Sequence, residues 1–217
     1  MGTLPNVGSD LLRIHKVITR AINVSIQYSQ DTNLAKNYRR GLTTYVLSLT
    51  ILLHAHHSGE DELSFPFWKM RLPSGSFDEL TAQHHQMIPY IDQAKRWTET
   101  GLVAWQVSAL AELHRALSDL RDIWQVHIAL EEETIGPEKA QQYLSPSDNE
   151  QLARQLAEHG QAHSQPNELV MPFIVYNLSG SDREEFLRLL PPIVSGQLIP
   201  IAWKAAWEPM TPFLLVE

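Results

Sequence analysis

Six side chains at four places in the chain could together hold metal ions: His15, His56 with Glu60, His84, and His127 with Glu131. Two of these histidines carry a glutamate four residues on, in His56-His57-Ser58-Gly59-Glu60 and in His127-Ile128-Ala129-Leu130-Glu131. On a helix, residues four apart share a face. Each pair therefore offers an imidazole nitrogen and a carboxylate oxygen one turn apart and in one direction. The arrangement occurs twice, because His15 precedes His56 by about as many residues as His84 precedes His127. Two such units supply four imidazoles and two carboxylates, a set suited to two cations with carboxylates between them. Imidazole with carboxylate suits iron, manganese or zinc and disfavours an all-oxygen magnesium or calcium site. Burying this many polar groups without a partner is costly, and that cost favours a metal.

Helices must position these groups. Apolar residues recur at helical spacing over residues 9–30, 33–63, 76–100 and 102–135. Ser9 or Asp10 is expected to cap the first helix and Ser74 or Ser76 the third. Phe65-Pro66 is expected to break the second and Gly136-Pro137 to end the fourth. Pro89 lies inside the third, where a kink is expected. Long helices joined by short loops predict an all-α, up-down-up-down antiparallel four-helix bundle over residues 1–139. In such a bundle the starts of helices 1 and 3 meet the ends of helices 2 and 4. His15, His56, His84 and His127 then converge on one level. Residues 140–217 predict a helical C-terminal extension packed on the bundle. It has helices near 145–163 and 182–190, with Trp203, Trp207 and Phe213 as apolar anchors.

Neighbouring histidines compete for the same roles. His57 and His85 each point about 100° from the residue before them, and both are read as lying beside the ligands or at the surface. His84 is preferred to His85 because Met87 and Ile91 follow it in the register in which Ile18 and Ile22 follow His15. His54, Asp61, Glu62, Glu132 and Glu133 are read as solvated or supporting. His114 lies about 20 Å from His127 along a helix. His159 and His163 are read as surface residues, with an access gate or an extra ligand as the alternative.

In sequence order, His15, His56-His57-Ser58-Gly59-Glu60-Asp61-Glu62-Leu63-Ser64-Phe65-Pro66, Gln83-His84 and His127-Ile128-Ala129-Leu130-Glu131-Glu132 resemble the hemerythrin or HHE cation-binding family. The resemblance covers roughly residues 10–137. It implies that His15, His56, Glu60, His84, His127 and Glu131 are metal ligands, holding two iron ions joined by an oxo or hydroxo bridge. It also implies a function with small oxidants: oxygen, hydrogen peroxide (with catalase-like consumption) or nitric oxide. The alternative is a non-enzymatic protein that binds or senses oxygen or iron. Oxygen carriers of the family place a further histidine one turn after the third-helix ligand. Ile88 stands there, which leads to the expectation of an open coordination position against an apolar wall.

The composition excludes other classes. A net charge of −8 without a lysine or arginine run argues against a nucleic-acid partner. The absence of cysteine removes disulfides, thiolate metal sites, iron–sulfur clusters and cysteine nucleophiles. Ferritin-like sites need Glu-x-x-His on two helices, where this chain has His-x-x-x-Glu. Residues 1–10 lack the basic start and apolar stretch of a signal peptide. No stretch reaches the ~20 apolar residues that span a bilayer, and a soluble, cytoplasmic protein is expected.

Overall fold

The computed structural model describes residues 6–216, so the reading of the N-terminus lies outside the described residues for Met1 to Pro5. Among the described residues there is no strand. The helices are α1 (Val7–Gln30), α2 (Thr32–Asn37), α3 (Arg39–Gly59), α4 (Phe65–Lys69), α5 (Phe77–Arg96), α6 (Val107–Ile135), α7 (Pro137–Tyr143), α8 (Pro146–His163), α9 (Asn167–Asn177), α10 (Gly180–Leu189) and α11 (Lys204–Trp207). π-helical turns join α3 to α4 at Glu60–Ser64 and follow α5 at Trp97–Leu102, and a third spans Val194–Ala202. A 3₁₀ turn follows α11 at Glu208–Phe213. Among the described residues, no helix is long and apolar enough to cross a membrane.

Local chemistry sets several of these boundaries. The side chain of Asn6, rather than Ser9 or Asp10, caps α1 by accepting the Ser9 N–H at 3.1 Å. Asp31 caps α2 through the N–H groups of Asn33 and Leu34. The single second helix expected over 33–63 is divided at Tyr38 and loosens into the π turn after Gly59. Phe65-Pro66 does not stop the chain's helical course: the π turn runs straight into α4, with the Phe65 N–H bonded to the Glu60 carbonyl five residues back, and this wider turn accommodates Pro66. Pro89 also lies within a continuing helix. Pro89 and His85, whose carbonyl loses its partner, both face solvent.

The helix α9 escaped the sequence reading. Its sequence, Asn-Glu-Leu-Val-Met-Pro-Phe-Ile-Val-Tyr-Asn, is apolar on nearly every side and so carries no stripe. It is buried for that reason. Val170, Phe173 and Ile174 of α9 join Trp207, Met210, Phe213 and Leu214 in the same apolar cluster as Ile18, Leu49, Met87 and Leu117 of the long helices. Arg20 ties the two regions together. Its guanidinium donates to Asn177 Oδ1, to the Phe213 carbonyl at 2.7 Å and to the Tyr45 hydroxyl at 3.2 Å, and that hydroxyl donates to Asn177 Oδ1 at 2.7 Å.

α1 packs on α3 and α6, and α5 packs on the same two, so the four long helices close a ring. Apolar residues fill that ring as two separate clusters. One contains Ile18, Leu53, Met87 and Trp124, and the other Phe65, Phe77, Leu80 and Ile135. The polar residues His15, Glu60, His84, His127 and Glu131 are buried in the layer between them.

Two glycines give opposite expectations. A Cβ on Gly41 of α3 would overlap the carbonyl of Pro209, where the C-terminal 3₁₀ turn lies directly on the helix. Gly41→Ala gains roughly 0.5–1 kcal/mol of helix preference. It costs about 1–3 kcal/mol or more in overpacking, because backbone must shift. The melting temperature is expected to fall. Gly160 of α8 has nothing among the described residues within 4 Å of such a Cβ, so Gly160→Ala is expected to raise it. Thermal unfolding of both variants beside the parent checks the pair.

Candidate metal centre

In a ring of four helices each member has two neighbours roughly at right angles to one another. Consecutive residues on a helix diverge by about 100°. One helix can therefore address both neighbours with adjacent side chains, and α3 does so with His56 and His57. His56 faces α1, with its ring 5.3 Å from that of His15. His57 faces α5 and stacks on His84 with ring centroids 4.1 Å apart. His57, expected beside the site or at the surface, is 4% exposed and lies within it. The His56-His57 doublet at the inner end of a helix was the signal for this. A single inward stripe per helix was the wrong template.

The six residues singled out from the sequence are all brought together, and His57 makes seven. They form two groups in which the nearest donor atoms lie within 4.8 Å of one another: His57, His84 and His127, and His15, His56, Glu60 and Glu131. Both groups are able to hold a metal ion. The two carboxylates link them. Glu60 places Oε1 3.2 Å from His56 Nδ1 and Oε2 3.4 Å from His84 Nε2. Glu131 Oε2 lies 3.1 Å from His15 Nε2 and 3.3 Å from His127 Nε2. Each carboxylate thus touches one histidine of each group.

Side chains outside the layer orient the rings. Nδ1–H of His15 donates to Glu132 Oε1 at 2.8 Å, and Nδ1–H of His127 donates to Gln83 Oε1 at 3.1 Å. His84 Nδ1 stands 3.0 Å from Asp61 Oδ2, and Asp61 is held by the Thr81 hydroxyl at 2.7 Å. With acceptors behind Nδ1, the lone pairs of His84 and His127 sit on Nε2, and these two nitrogens face each other at 3.1 Å. Two lone pairs at that distance repel unless a proton or a cation lies between them. Among the described residues, His56 Nε2, both nitrogens of His57 and all four carboxylate oxygens of Glu60 and Glu131 are buried without a hydrogen-bond partner. An unmatched buried set of this kind is expensive for a metal-free fold, and its donors, imidazole nitrogen and carboxylate oxygen, are those of a first-row transition-metal site.

The electrostatics follow from burial. Burial, reinforced by the neighbouring Glu131, pushes the Glu60 carboxyl well above the usual range. Burial acts the same way on Glu131, but the His127 and His15 rings in contact with it outweigh burial and hold that carboxylate low. Burial drives His56 and His57 well below the ordinary imidazole value, so both are neutral with a lone pair free.

The other expectations fare differently. Ile88 is 37% exposed, so it does not form a wall of the site. The side chain that stands beside His84 is instead His57 of α3. His85 is exposed, His114 bonds weakly to Ser29 at 3.3 Å, and His54 pairs with Asp92 at the surface. His159 approaches the Ser58 hydroxyl at 2.8 Å and stacks on His163, outside both groups. Asp61, Gln83 and Glu132 touch the ligand candidates directly. For Asp61 and Glu132 this is the supporting place read from the sequence, whereas Gln83 stood there only as the neighbour of His84, with no role of its own. A groove of about 420 Å³ reaches His15 from solvent between α1 and α6, lined by Leu12, Thr19, Ile128 and Glu132.

Comparison with known proteins gives the same frame. Nothing among curated proteins or solved structures matches the chain. Residues 7–139 match the hemerythrin HHE cation binding domain, a span that contains every residue of both groups. The buried histidine–glutamate layer and this match together place the chain in the hemerythrin HHE cation-binding family.

Proposed function

We propose that the layer holds two iron ions in a non-haem centre that acts on small oxidants: oxygen, hydrogen peroxide or nitric oxide. The observation that carries the reading is the pair of carboxylates, each in contact with a histidine of both groups. His57, His84 and His127 would hold one ion, His15 and His56 the other, and Glu60 and Glu131 would bridge them. Bound iron would supply the electron transfer that no side chain in the layer performs. The chain's own part is to orient, enclose and admit. Asp61, Gln83 and Glu132 fix the rings from behind, as metal-binding histidines require. Phe65, stacked on His84 at 5.4 Å, and Trp124 close the layer to water on its two apolar sides. The groove at His15 is the approach for a small molecule.

We also propose that the four long helices alternate up and down, that residues 1–139 form the bundle and residues 140–217 an extension packed on it, and that the protein works in the cytoplasm.

Anaerobic iron loading with metal analysis tests the centre, with about two ions per chain expected and a value near zero contradicting it. His57→Ala should bring the stoichiometry to about one, while His85→Ala leaves it unchanged. Equal stoichiometry in the two variants would remove His57 from the ligand set. Glu60→Ala and Glu131→Ala should each abolish the rise in melting temperature that iron gives the parent, because the cations lose the charge that lies between them. Peroxide consumption per iron above that of free iron supports an enzyme. A reversible optical change with oxygen and no turnover supports the alternative, a carrier or sensor.

A further inference from the structure

We infer that Trp124 is a redox partner of the centre, giving up one electron from its indole when peroxide is reduced there. The inference rests on the metal reading above. Trp124 is fully buried in α6, one turn before His127. Its ring lies 5.3 Å from His15, 6.0 Å from His56, 6.3 Å from His57 and 5.8 Å from His127, centroid to centroid. It thus borders both metal groups. Packing alone would be served by any large apolar side chain, as Phe65 serves against His84 on the other side of the layer.

Two features separate Trp124 from a mere filler. Indole is far more readily oxidised than the phenyl ring of Phe65, and the chain has no cysteine to compete with it. The indole also has an outlet for its proton. Nε1–H donates to Thr19 Oγ1 at 2.9 Å, and Thr19 lines the solvent groove between α1 and α6. An oxidised indole is strongly acidic at nitrogen, so a buried one persists only where that proton can leave. Thr19 accepts it and passes a proton to groove water.

Reduction of hydrogen peroxide to two water molecules breaks the O–O bond and takes two electrons and two protons. Where bound iron would supply only one of these electrons, Trp124 supplies the second. One proton comes from Nε1 by way of Thr19 and the other from solvent. Trp124 is left as a neutral indolyl radical, which a soluble one-electron donor such as a phenol or a thiol returns to tryptophan with one proton from solvent.

The test is freeze-quench electron paramagnetic resonance on iron-loaded protein mixed with excess hydrogen peroxide, with metal content measured on the same samples. An organic radical whose hyperfine pattern narrows when the tryptophans carry ring deuterium is expected. It should be absent from Trp124→Phe and from zinc-loaded parent. It should fall several-fold in Thr19→Val, which keeps the indole and the fold but removes the proton acceptor. Loaded parent that yields no radical overturns the inference while leaving the metal reading intact. So does a radical that survives Trp124→Phe or ignores the deuterium label, since the electron then comes from a tyrosine, Met87 or another tryptophan. Should Trp124→Phe fail to fold, the label and Thr19→Val decide on folded protein. Protein that takes up no iron overturns the metal reading and this inference with it, and the metal analysis identifies that case.

Discussion

A layer of five imidazoles and two carboxylates, buried between two apolar clusters, is the constraint on which the rest of this structure depends. Uncompensated, such a layer opposes folding. Glu60 and Glu131 repel each other, which burial makes worse, and the Nε2 atoms of His84 and His127 face one another with lone pairs. The apolar clusters on either side gain from burial in the usual way and hold the layer in place. A pair of cations would reverse the sign of each of these effects at once, screening the carboxylates, taking up the lone pairs and turning an unfavourable layer into the tie between four helices.

The geometry of the ring explains how so few elements supply so many donors. α3 uses adjacent residues for adjacent neighbours, and the π turn begins at Glu60, directly after the helix has delivered His56 and His57. A local widening of the helix there fits the frequent placement of such bulges at functional sites. The residues behind the rings divide the site further. Carboxylates stand behind His15 and His84, an amide stands behind His127, and His57 has no partner among the described residues. The two groups would therefore differ in electron donation to a bound ion as well as in the donors they offer.

Much of this was legible in the sequence. The long helices could be read because their buried stripes alternate with polar faces, and the repeated His…His-x-x-x-Glu pattern marked the residues that meet in the core. What escaped reading has physical causes. His57 was set aside because a stripe template allows one inward residue at each level, whereas a ring allows two. Ile88 was given a role at the site by analogy with position, although the register that buries His84, Met87 and Ile91 turns Ile88 outward. α9 was hidden by being apolar throughout. The supporting contact of Gln83 depends on which helices are neighbours, and local sequence does not encode that.

The central claim is that imidazoles and carboxylates of this layer hold two metal ions close together. X-ray absorption at the iron edge of the loaded protein tests it most directly. The account predicts outer-shell scattering from imidazole rings, between two and three per iron. It also predicts an iron–iron shell at about 3.5–4 Å or less, as in two-metal sites. Iron surrounded by oxygen alone, with no imidazole scattering and no neighbouring iron, would contradict it.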